Sequence, residues 1–338
     1  MITASAPCRV DCGGSTDHRL TGLLGRRWDP ATTTIALDLR TTVSIRRHKP
    51  GRILVESAVL GSEEATPPTL PLAGPLGLIF AVVGHFGVDG IRVTVDAGAP
   101  IRSGLGGSGA ATVATIGALR ELAALPKRQA RNPQAVALLA HHLEDALYNN
   151  TGLQDQAAAA YGGVYLWRWR YADQLDFDGE MLLADPTGLA SHVLVAYSGK
   201  PHLGSRSSAV LETLRRTGDL GPLREISAQA RAMGEALRTG DYRAASRALS
   251  AEFEIRGRLM KEDIVRSEDE MLLGAARDHN CGVRFAGHGG GGSLWAIGEA
   301  TAITALRSEW ERILSLQSSG FVFPPGLSPD GLRVSRKP

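Results

Sequence analysis

The chain has 338 residues, which exceeds the size of most single domains and favours two lobes. Hydrophobic residues make up 43% of the chain and charged residues 21%, values that exclude wholesale disorder, a collagen-like chain and a membrane bundle. The 37 basic residues nearly balance the 35 acidic ones, and the net charge of +2 argues against nucleic acid as a partner.

In chain order, the first residues lack the basic start and apolar stretch of a secretory signal, and no run reaches the length of a membrane span. The three cysteines, Cys8, Cys12 and Cys281, include no Cys-x-x-Cys spacing. We therefore expect reduced thiols rather than disulfides or a zinc site. These features predict a cytoplasmic protein with no membrane partner.

The first third of the chain is predicted to be rich in β-structure. Alternating runs at 31–46 and 52–58, and the period-2 segment Ile91–Asp96, predict strands. Between them, the segment 65–77 holds four prolines among small residues. This composition predicts a surface loop, and we expect that loop to take no part in the chemistry.

The middle of the chain alternates between helical and strand patterns. Helical spacing predicts a helix over 109–125, and Asn132-Pro133 predicts the N-cap and first residue of the next helix. The apolar face of that second helix is expected to contain Val136, Leu139, Ala140, Leu143 and Leu147. Strands are predicted at 161–170 and 193–197.

The rest of the chain is predicted to be mainly helical and then to return to strands. Helices are expected over 205–278, with breaks at 218–222 and at Gly240-Asp241, where Asp241 can cap the next helix. A strand, a glycine loop, a strand and a helix follow over 282–316. This order predicts a mixed α/β first lobe to about residue 185 and an α+β second lobe after it.

A glycine loop at Pro100-Ile-Arg-Ser-Gly-Leu-Gly-Gly-Ser-Gly109 leads directly into a predicted helix. Backbone N–H groups and the positive end of a helix dipole together bind phosphate oxygens, so a nucleotide is the predicted ligand. The loop lacks the Lys-Ser or Lys-Thr of a Walker A motif. It matches Gly-x-Gly-x-x-Gly but lacks the close strand and the downstream acid of a dinucleotide site. A glycine turn without a ligand is the alternative.

Two carboxylates, Glu144 and Asp155, follow at a separation of eleven residues. Phosphoryl transfer needs one carboxylate to hold Mg²⁺ and another to face the attacking hydroxyl. Taken alone, Glu144 is more typical of a solvated helix residue, and Asp155 is more typical of an N-cap.

A second glycine loop contains five glycines among the six positions 287–292. A hairpin turn requires fewer, so this run predicts backbone packed against a ligand or against the first loop. A floppy hairpin tip is the alternative.

These segments, with Ala6-Pro-Cys-Arg-Val-Asp-Cys-Gly-Gly-Ser-Thr-Asp17, resemble the GHMP kinases in order and separation over nearly the whole chain. The superfamily motif Pro-x-x-x-Gly-Leu-x-Ser-Ser-Ala is met at Pro100, Gly104, Leu105 and Ser108, while Gly107 and Gly109 replace a Ser and an Ala. Gly-Leu-Gly-Gly-Ser-Gly and Gly-Leu-Gln-Asp-Gln-Ala are most similar to the D-glycero-D-manno-heptose 7-phosphate kinase and fucokinase branch, which phosphorylates the anomeric hydroxyl of a sugar.

The resemblance implies a two-lobed α+β GHMP kinase fold. Residues 1–185 would form a ribosomal-S5-like α/β domain that binds ATP, and residues 186–338 an α+β C-terminal domain. The implied activity is ATP-dependent phosphorylation of the C1 hydroxyl of a heptose 7-phosphate or related sugar, in nucleotide-sugar biosynthesis. The alternatives are a kinase for a non-sugar alcohol of the mevalonate or amino-acid type, and a non-catalytic sensor of ATP and a sugar.

The resemblance also implies a role for each matching residue. Asp155 would be the catalytic base with Arg9 beside it, and Mg²⁺ would be held by Ser108 and Glu144. The triphosphate of ATP would be bound by Gly104, Leu105, Gly106, Gly107, Ser108 and Gly109. The acceptor sugar would be bound by Gly14, Thr16, Asp17, Arg206, Gly289 and Gly290. Lys200 would assist Arg206.

Two positions depart from the family pattern. Gly14 and Ser15 stand where galactokinases carry Glu before His-Thr-Asp, which argues against a galactose-type clamp on the hydroxyls. His288 stands where Ala is usual, and it either donates to the substrate or points to solvent. The sequence leaves open the sugar, its anomer, whether it already carries a phosphate, and whether the protein is a monomer or a homodimer.

Overall fold

A computed structural model describes residues 1–14, 29–124, 132–148, 152–171, 175–202, 216–260, 265, 267–287, 289–316, 319–324 and 326–337. No helix in these ranges combines the length and the apolar character that a membrane span requires. Cys8, Cys12 and Cys281 are buried free thiols, which agrees with the prediction from their spacing.

The first sheet has eight strands, and it holds most of the N-terminal half of the chain. Its strands are β1 (Ile2–Cys12), β2 (Ala31–Arg47), β3 (Ile53–Ser57), β4 (Gly61–Ala65), β5 (Ile91–Asp96), β6 (Val164–Tyr171), β7 (Leu175–Leu183) and, from the end of the chain, β12 (Arg333–Arg336). The order is β12-β1-β2-β5-β3-β4, and β6 joins β2 to β7.

Strand β2 connects the two parts of this sheet. Its first residues, from Ala31 to Ile35, pair with β6, whereas its last residues, from Thr42 to Arg47, pair with β5. Strand β1 pairs antiparallel along β2, with an irregularity between Pro7 and Arg9. Strand β1 lies between β12 and β2, and at Arg9 its position is fixed by pairing with Ala36 of β2 on one side and by a hydrogen bond from its N–H to the carbonyl of Leu105 on the other.

The second sheet has four strands in the order β11-β8-β10-β9. These strands are β8 (Val193–Tyr197), β9 (Gly282–Phe285), β10 (Ser293–Ile297) and β11 (Phe321–Val322). The helices are α1 (Gly77–Phe86), α2 (Gly107–Leu122), α3 (Pro133–Tyr148), α4 (Gln154–Tyr161), α5 (Gly221–Thr239), α6 (Tyr242–Met260), α7 (Ser267–Asp278) and α8 (Ala300–Ser315).

Two apolar cores hold these layers together. The larger core lies between the first sheet and helices α1 to α6, and it includes Phe80, Leu105, Ile116 and Trp167. The smaller core lies between the second sheet, α7 and α8 around Trp310. Burial of apolar area at about 25 cal/mol per Å² is the main stabilising contribution of both cores.

The predicted α+β architecture is confirmed, with some differences in detail. Asn132 and Asp241 cap their helices as predicted, because each side chain accepts a hydrogen bond from the backbone N–H three residues later. The predicted apolar face of α3 is confirmed in part, because Val136 and Ala140 are buried and Leu139 and Leu143 are half-buried against the larger core. The buried residues of that helix are Val136, Ala137, Ala140, His141 and Glu144.

The division of the chain at residue 185 stays a prediction. Most of the second sheet follows that residue, yet β12 returns to pair with β1 of the first sheet. Helix α5 also packs against the first sheet, because Thr33 of β2 donates a hydrogen bond of 2.7 Å to the carbonyl of Ala230. The two parts of the chain therefore share a continuous core.

Candidate active site

The two glycine loops pack backbone to backbone. A Cβ atom on Gly104 would lie 3.0 Å from the nitrogen of Gly287, and one on Gly287 would lie 3.0 Å from Cα of Gly104. The N–H of Ser293 donates to the carbonyl of Ser103 at 2.7 Å. The second loop therefore braces the first, and the absence of side chains at Gly104 and Gly287 permits this approach.

Helix α2 begins at this junction. Its N-cap is Gly106, with a φ of 75°, and no side chain caps the helix. The first N–H groups of a helix have no partner within the helix, so those of α2 are available to an anion. The backbone geometry at the start of α2 is therefore the one that the predicted phosphate site requires.

Arg9 and Asp155 form an ion pair at the floor of the loops. The Nη2 atom of Arg9 lies 2.7 Å from Oδ1 of Asp155. The Nη1 atom donates to the carbonyls of Gly104 and Ala286, at 2.6 and 2.9 Å. The Asp155 side chain is 22% exposed, against 3% for Arg9. Burial raises the pKa of Asp155, while the neighbouring guanidinium of Arg9 lowers it.

Glu144 is buried beside the start of α2, so the alternative of a solvated helix residue is wrong. Only 4% of Glu144 is exposed, and its Oε2 atom accepts a 2.6 Å hydrogen bond from Gln156. Burial raises the pKa of Glu144 to about 7, and the charge of Asp155 adds to this increase. Hydrogen bonds from Ser108 and Gln156 oppose it. A cation at this position would favour the ionised carboxylate.

These groups share one cavity of about 770 Å³. Of the predicted site residues, those that line the cavity are Arg9, Gly104, Gly106, Gly107, Ser108, Glu144 and Asp155. An apolar wall extends from them through Leu60, Leu76, Leu78, Ile79 and Val95. The site therefore combines a polar end with an apolar end, as a nucleotide requires.

The apolar end corrects one expectation from the sequence. The proline-rich loop 65–77 was expected to take no part in the chemistry, but Ala73, Gly74, Pro75 and Leu76 line the cavity. Proline marks a loop without indicating what that loop covers. The loop 65–77 therefore forms part of the cavity wall.

The remaining predicted site residues either do not line the cavity or lie outside the described residues. Leu105 and Gly109 are buried, and the cavity lining does not include them. Gly14, Gly289 and Gly290 are also buried. Thr16, Asp17, Arg206 and His288 lie outside the described residues. Asp155 is not an N-cap, because Leu153 has that position and Asp155 lies in the first turn of α4.

Several charged residues behind the site could not be predicted from the sequence. Asp11, Glu252, Arg256 and Arg284 are all buried and lie close to Arg9 or to one another. Asp11 and Arg284 occur in quoted motifs, but nothing in the sequence indicates that they are buried. Glu252 and Arg256 carry only an i,i+4 spacing, which is also typical of an exposed helix pair.

Replacement of Gly109 by Ala is expected to disturb the site, because a Cβ there would lie 2.9 Å from Cβ of Asp155. Such overpacking lowers the free energy of unfolding by about 1–3 kcal/mol. Displacement of Asp155 lowers kcat by about tenfold or more. Chemical denaturation and initial rates measure the two effects.

Gly274→Ala is the matched control for this substitution, since Gly274 also lies within a helix, does not line the cavity, and a Cβ there meets no atom within 4 Å. This variant should keep the stability and the kcat of the original protein within about twofold. Equal behaviour of the two variants would contradict the packing of Gly109 against Asp155.

Residues 76–163 match the family described as GHMP kinases N terminal domain. A D-glycero-D-manno-heptose 1-phosphate kinase from Bacteriodes thetaiotaomicron is similar, with a TM-score of 0.74 and 19% identity over 100% of this chain and 99% of that chain. No protein of curated function matches the sequence.

Two further solved structures are similar over nearly their full length. A Lactococcus lactis galactokinase complexed with galactose has a TM-score of 0.73 and 16% identity, covering 98% of this chain and 95% of that chain. A Streptococcus pneumoniae phosphomevalonate kinase in complex with phosphomevalonate and AMPPNP has a TM-score of 0.74 and 15% identity, covering 93% and 97%. At these identities, the likeness concerns the fold.

Proposed function

We propose that the chain, which has the GHMP kinase fold and matches the family's N-terminal domain over residues 76–163, is an ATP-dependent kinase that phosphorylates the anomeric C1 hydroxyl of a heptose 7-phosphate or related sugar. The observation that carries this proposal is the convergence of Ser108, Glu144 and Asp155 on one cavity. These residues come from three different helices, and their separate candidate roles fit a single reaction.

The triphosphate of ATP would lie at the polar end of the cavity. There the uncapped start of α2 supplies backbone N–H groups and the positive end of the helix dipole. The adenine ring would lie against the apolar wall that includes Leu76 and Ile79. ATP would thus be oriented along the cavity, with its terminal phosphate towards Asp155.

Mg²⁺ fits the donor set at the polar end. A hydroxyl and a carboxylate are hard oxygen ligands, and Ser108 and Glu144 are hydrogen-bonded to each other. Within the described ranges, no three His, Cys, Asp or Glu residues form a metal cluster. This agrees with the mode typical of Mg²⁺, which takes few protein ligands and completes its shell with water and phosphates. When bound, the ion would neutralise phosphate charge.

Asp155 would accept the proton of the attacking hydroxyl. Arg9 engages its Oδ1 atom through both Nε and Nη2, so we assign Oδ2 to the acceptor. The upward shift in the pKa of Asp155 makes it a stronger base than an exposed aspartate. Arg9 would also orient the carboxylate, because its Nη1 atom is fixed by two backbone carbonyls.

The choice of a sugar rests on the motifs and on one solved structure. Gly-Leu-Gly-Gly-Ser-Gly and Gly-Leu-Gln-Asp-Gln-Ala resemble the heptose kinase and fucokinase branch. A heptose 1-phosphate kinase is among the similar structures over the full length of the chain. We propose Gly14, Thr16, Asp17, Arg206, Gly289 and Gly290 as acceptor-binding residues. We further propose a cytoplasmic location, in a monomer or homodimer that binds neither nucleic acid nor membrane.

A substrate panel tests the proposed acceptor. The panel contains sugars of six to eight carbons with and without a terminal phosphate, together with mevalonate and homoserine, and ADP release is measured for each. The highest kcat/KM is expected with a heptose 7-phosphate. Phosphorus NMR should place the new ester at C1.

The two alternatives give different results in the same panel. Turnover of a non-sugar alcohol alone would replace the sugar proposal with the mevalonate or amino-acid type. ATP and sugar binding by calorimetry without ADP release would indicate a sensor. Arg206→Ala distinguishes a phosphate anchor, because it should weaken binding of a phosphorylated heptose far more than binding of the free sugar.

A further inference from the structure

Six charged side chains form a continuous array behind the candidate site. From the cavity inward, the array contains Asp155, Arg9, Asp11, Arg284, Glu252 and Arg256. Acidic and basic groups alternate along it, three of each. Apart from Asp155, each member is 3% exposed or less.

Short distances join each pair in the array. The Nε atom of Arg9 lies 3.2 Å from Oδ2 of Asp11, and the Nη1 atom of Arg284 lies 3.4 Å from Oδ1 of Asp11. The same Nη1 atom lies 2.9 Å from Oε1 of Glu252. Arg256 donates to Glu252 and, at 2.5 Å, to the carbonyl of Gly14. The array therefore reaches from the candidate base to the backbone at Gly14.

Asp11 and Asp155 both lie near the Nε atom of Arg9, but only Asp155 accepts a hydrogen bond from it, and the contact with Asp11 is one of charge alone. The Nε atom of Arg9 lies 2.9 Å from Oδ1 of Asp155 and 3.2 Å from Oδ2 of Asp11. The charge of Asp11 therefore pulls the guanidinium away from Asp155 and balances the attraction between Arg9 and Asp155. Arg284 lies next to Asp11, and Glu252 lies next to Arg284. The charges of these two residues therefore determine how strongly Asp11 attracts the guanidinium of Arg9.

Four members of the array do not reach the cavity. Its lining includes Arg9 and Asp155 but not Asp11, Arg284, Glu252 or Arg256. An effect of these four residues on turnover must therefore pass through Arg9 or through the loops. A buried ion pair contributes little net stability compared with apolar packing, so the burial of so many charges needs another explanation.

We propose that Asp11, Arg284 and Glu252 are positioning residues that hold Arg9 in the orientation in which Asp155 can accept the proton. The array fixes the guanidinium between two carboxylates and two backbone carbonyls, which leaves it a single orientation. This inference rests on the proposed kinase function. It adds Asp11 of β1, Arg284 of β9 and Glu252 of α6 to the residues that line the cavity.

Asp11→Asn and Glu252→Gln test the proposal, since both remove one charge and keep the shape of the side chain. Each should lower kcat by about 10–100-fold and leave KM for ATP within about twofold. Asp269→Asn is the matched control, because Asp269 is a 2% exposed carboxylate of α7 outside the array. It should keep kcat within about twofold.

Several results of these measurements would overturn the proposal. One is an unchanged kcat in folded Asp11→Asn and Glu252→Gln proteins, and another is an equal loss in Asp269→Asn. A rise in KM for ATP that matches the fall in kcat would also overturn it, because the array would then act on the nucleotide. Asp11→Asn should cost less than about threefold when Arg9 is already Lys, and an undiminished loss would exclude action through Arg9.

If the variants fail to fold, a measurement on the unsubstituted protein still tests the proposal. The Nε–H protons of Arg9 and Arg284 should exchange slowly with water in nitrogen-15 NMR spectra, because both groups are buried and hydrogen-bonded. Fast exchange would show that the array does not fix them. This readout needs no acceptor, so failure to phosphorylate any alcohol would overturn the proposed function and leave the test of the array in force.

Discussion

Asp155→Asn is expected to lower kcat by about 10²–10⁴-fold, the usual contribution of a general base. The amide has nearly the shape of the carboxylate but cannot accept the proton of the attacking hydroxyl. The cavity and the start of α2 are unchanged, so the Kd of a non-hydrolysable ATP analogue should stay within about threefold. Steady-state rates and calorimetry measure the two quantities.

Asp185→Asn provides the control for this variant, because Asp185 is an exposed acid that caps Thr187 far along the chain from the site. It should retain full activity. Turnover within about tenfold of the original protein in Asp155→Asn would assign the base to another group. Loss of nucleotide binding together with kcat would instead indicate a structural role for Asp155.

Glu144→Gln is expected to raise the Mg²⁺ concentration needed for half-maximal activity by at least about tenfold and to lower kcat at saturation. The pKa of Glu144 is about 7, so Mg²⁺ must displace a proton below that pH. For the original protein, the half-saturating concentration should fall about tenfold between pH 6 and pH 8. In Glu144→Gln this pH dependence should disappear. Magnesium titrations at pH 6, 7 and 8 provide the measurement.

Two further variants show whether the effect belongs to the ligand position. Ser108→Ala should change the magnesium titration in the same direction but by less, because a hydroxyl is a neutral ligand. Glu180→Gln removes an exposed acid that pairs with Arg168, and its titration should match that of the original protein. Identical titrations for Glu144→Gln and the original protein would exclude Glu144 as a magnesium ligand.

The sequence was informative where the chemistry leaves a local pattern. The glycine loop before α2, the alternation in Ile91–Asp96 and the cap at Asn132 each depend on neighbouring residues, so they could be predicted without the fold. The resemblance to GHMP kinases also brought Arg9 and Asp155 together before the structure did, and they lie 2.7 Å apart.

The sequence was less informative where burial depends on distant partners. Taken alone, Glu144 was expected to be exposed rather than buried, because a carboxylate on a helix usually faces water. Its burial is stabilised by Gln156 and Ser108, which come from other helices. Arg284 meets Asp11 across the two sheets, and no spacing along the chain reports such a contact. The face of α3 was predicted only in part, because Leu139 and Leu143 pack against the core but stay half-buried, whereas Ala137 and His141 are fully buried.

The contact between Arg9 and the carbonyl of Ala286 joins residues that are 277 positions apart. A ribosome adds about 5–20 residues per second, so the partner of Arg9 is made on the order of 15–55 s after it. During that interval the nascent polypeptide lacks the second glycine loop, so Arg9 cannot donate its hydrogen bond to the carbonyl of Ala286. We therefore expect any activity that depends on this contact to begin only near the end of translation.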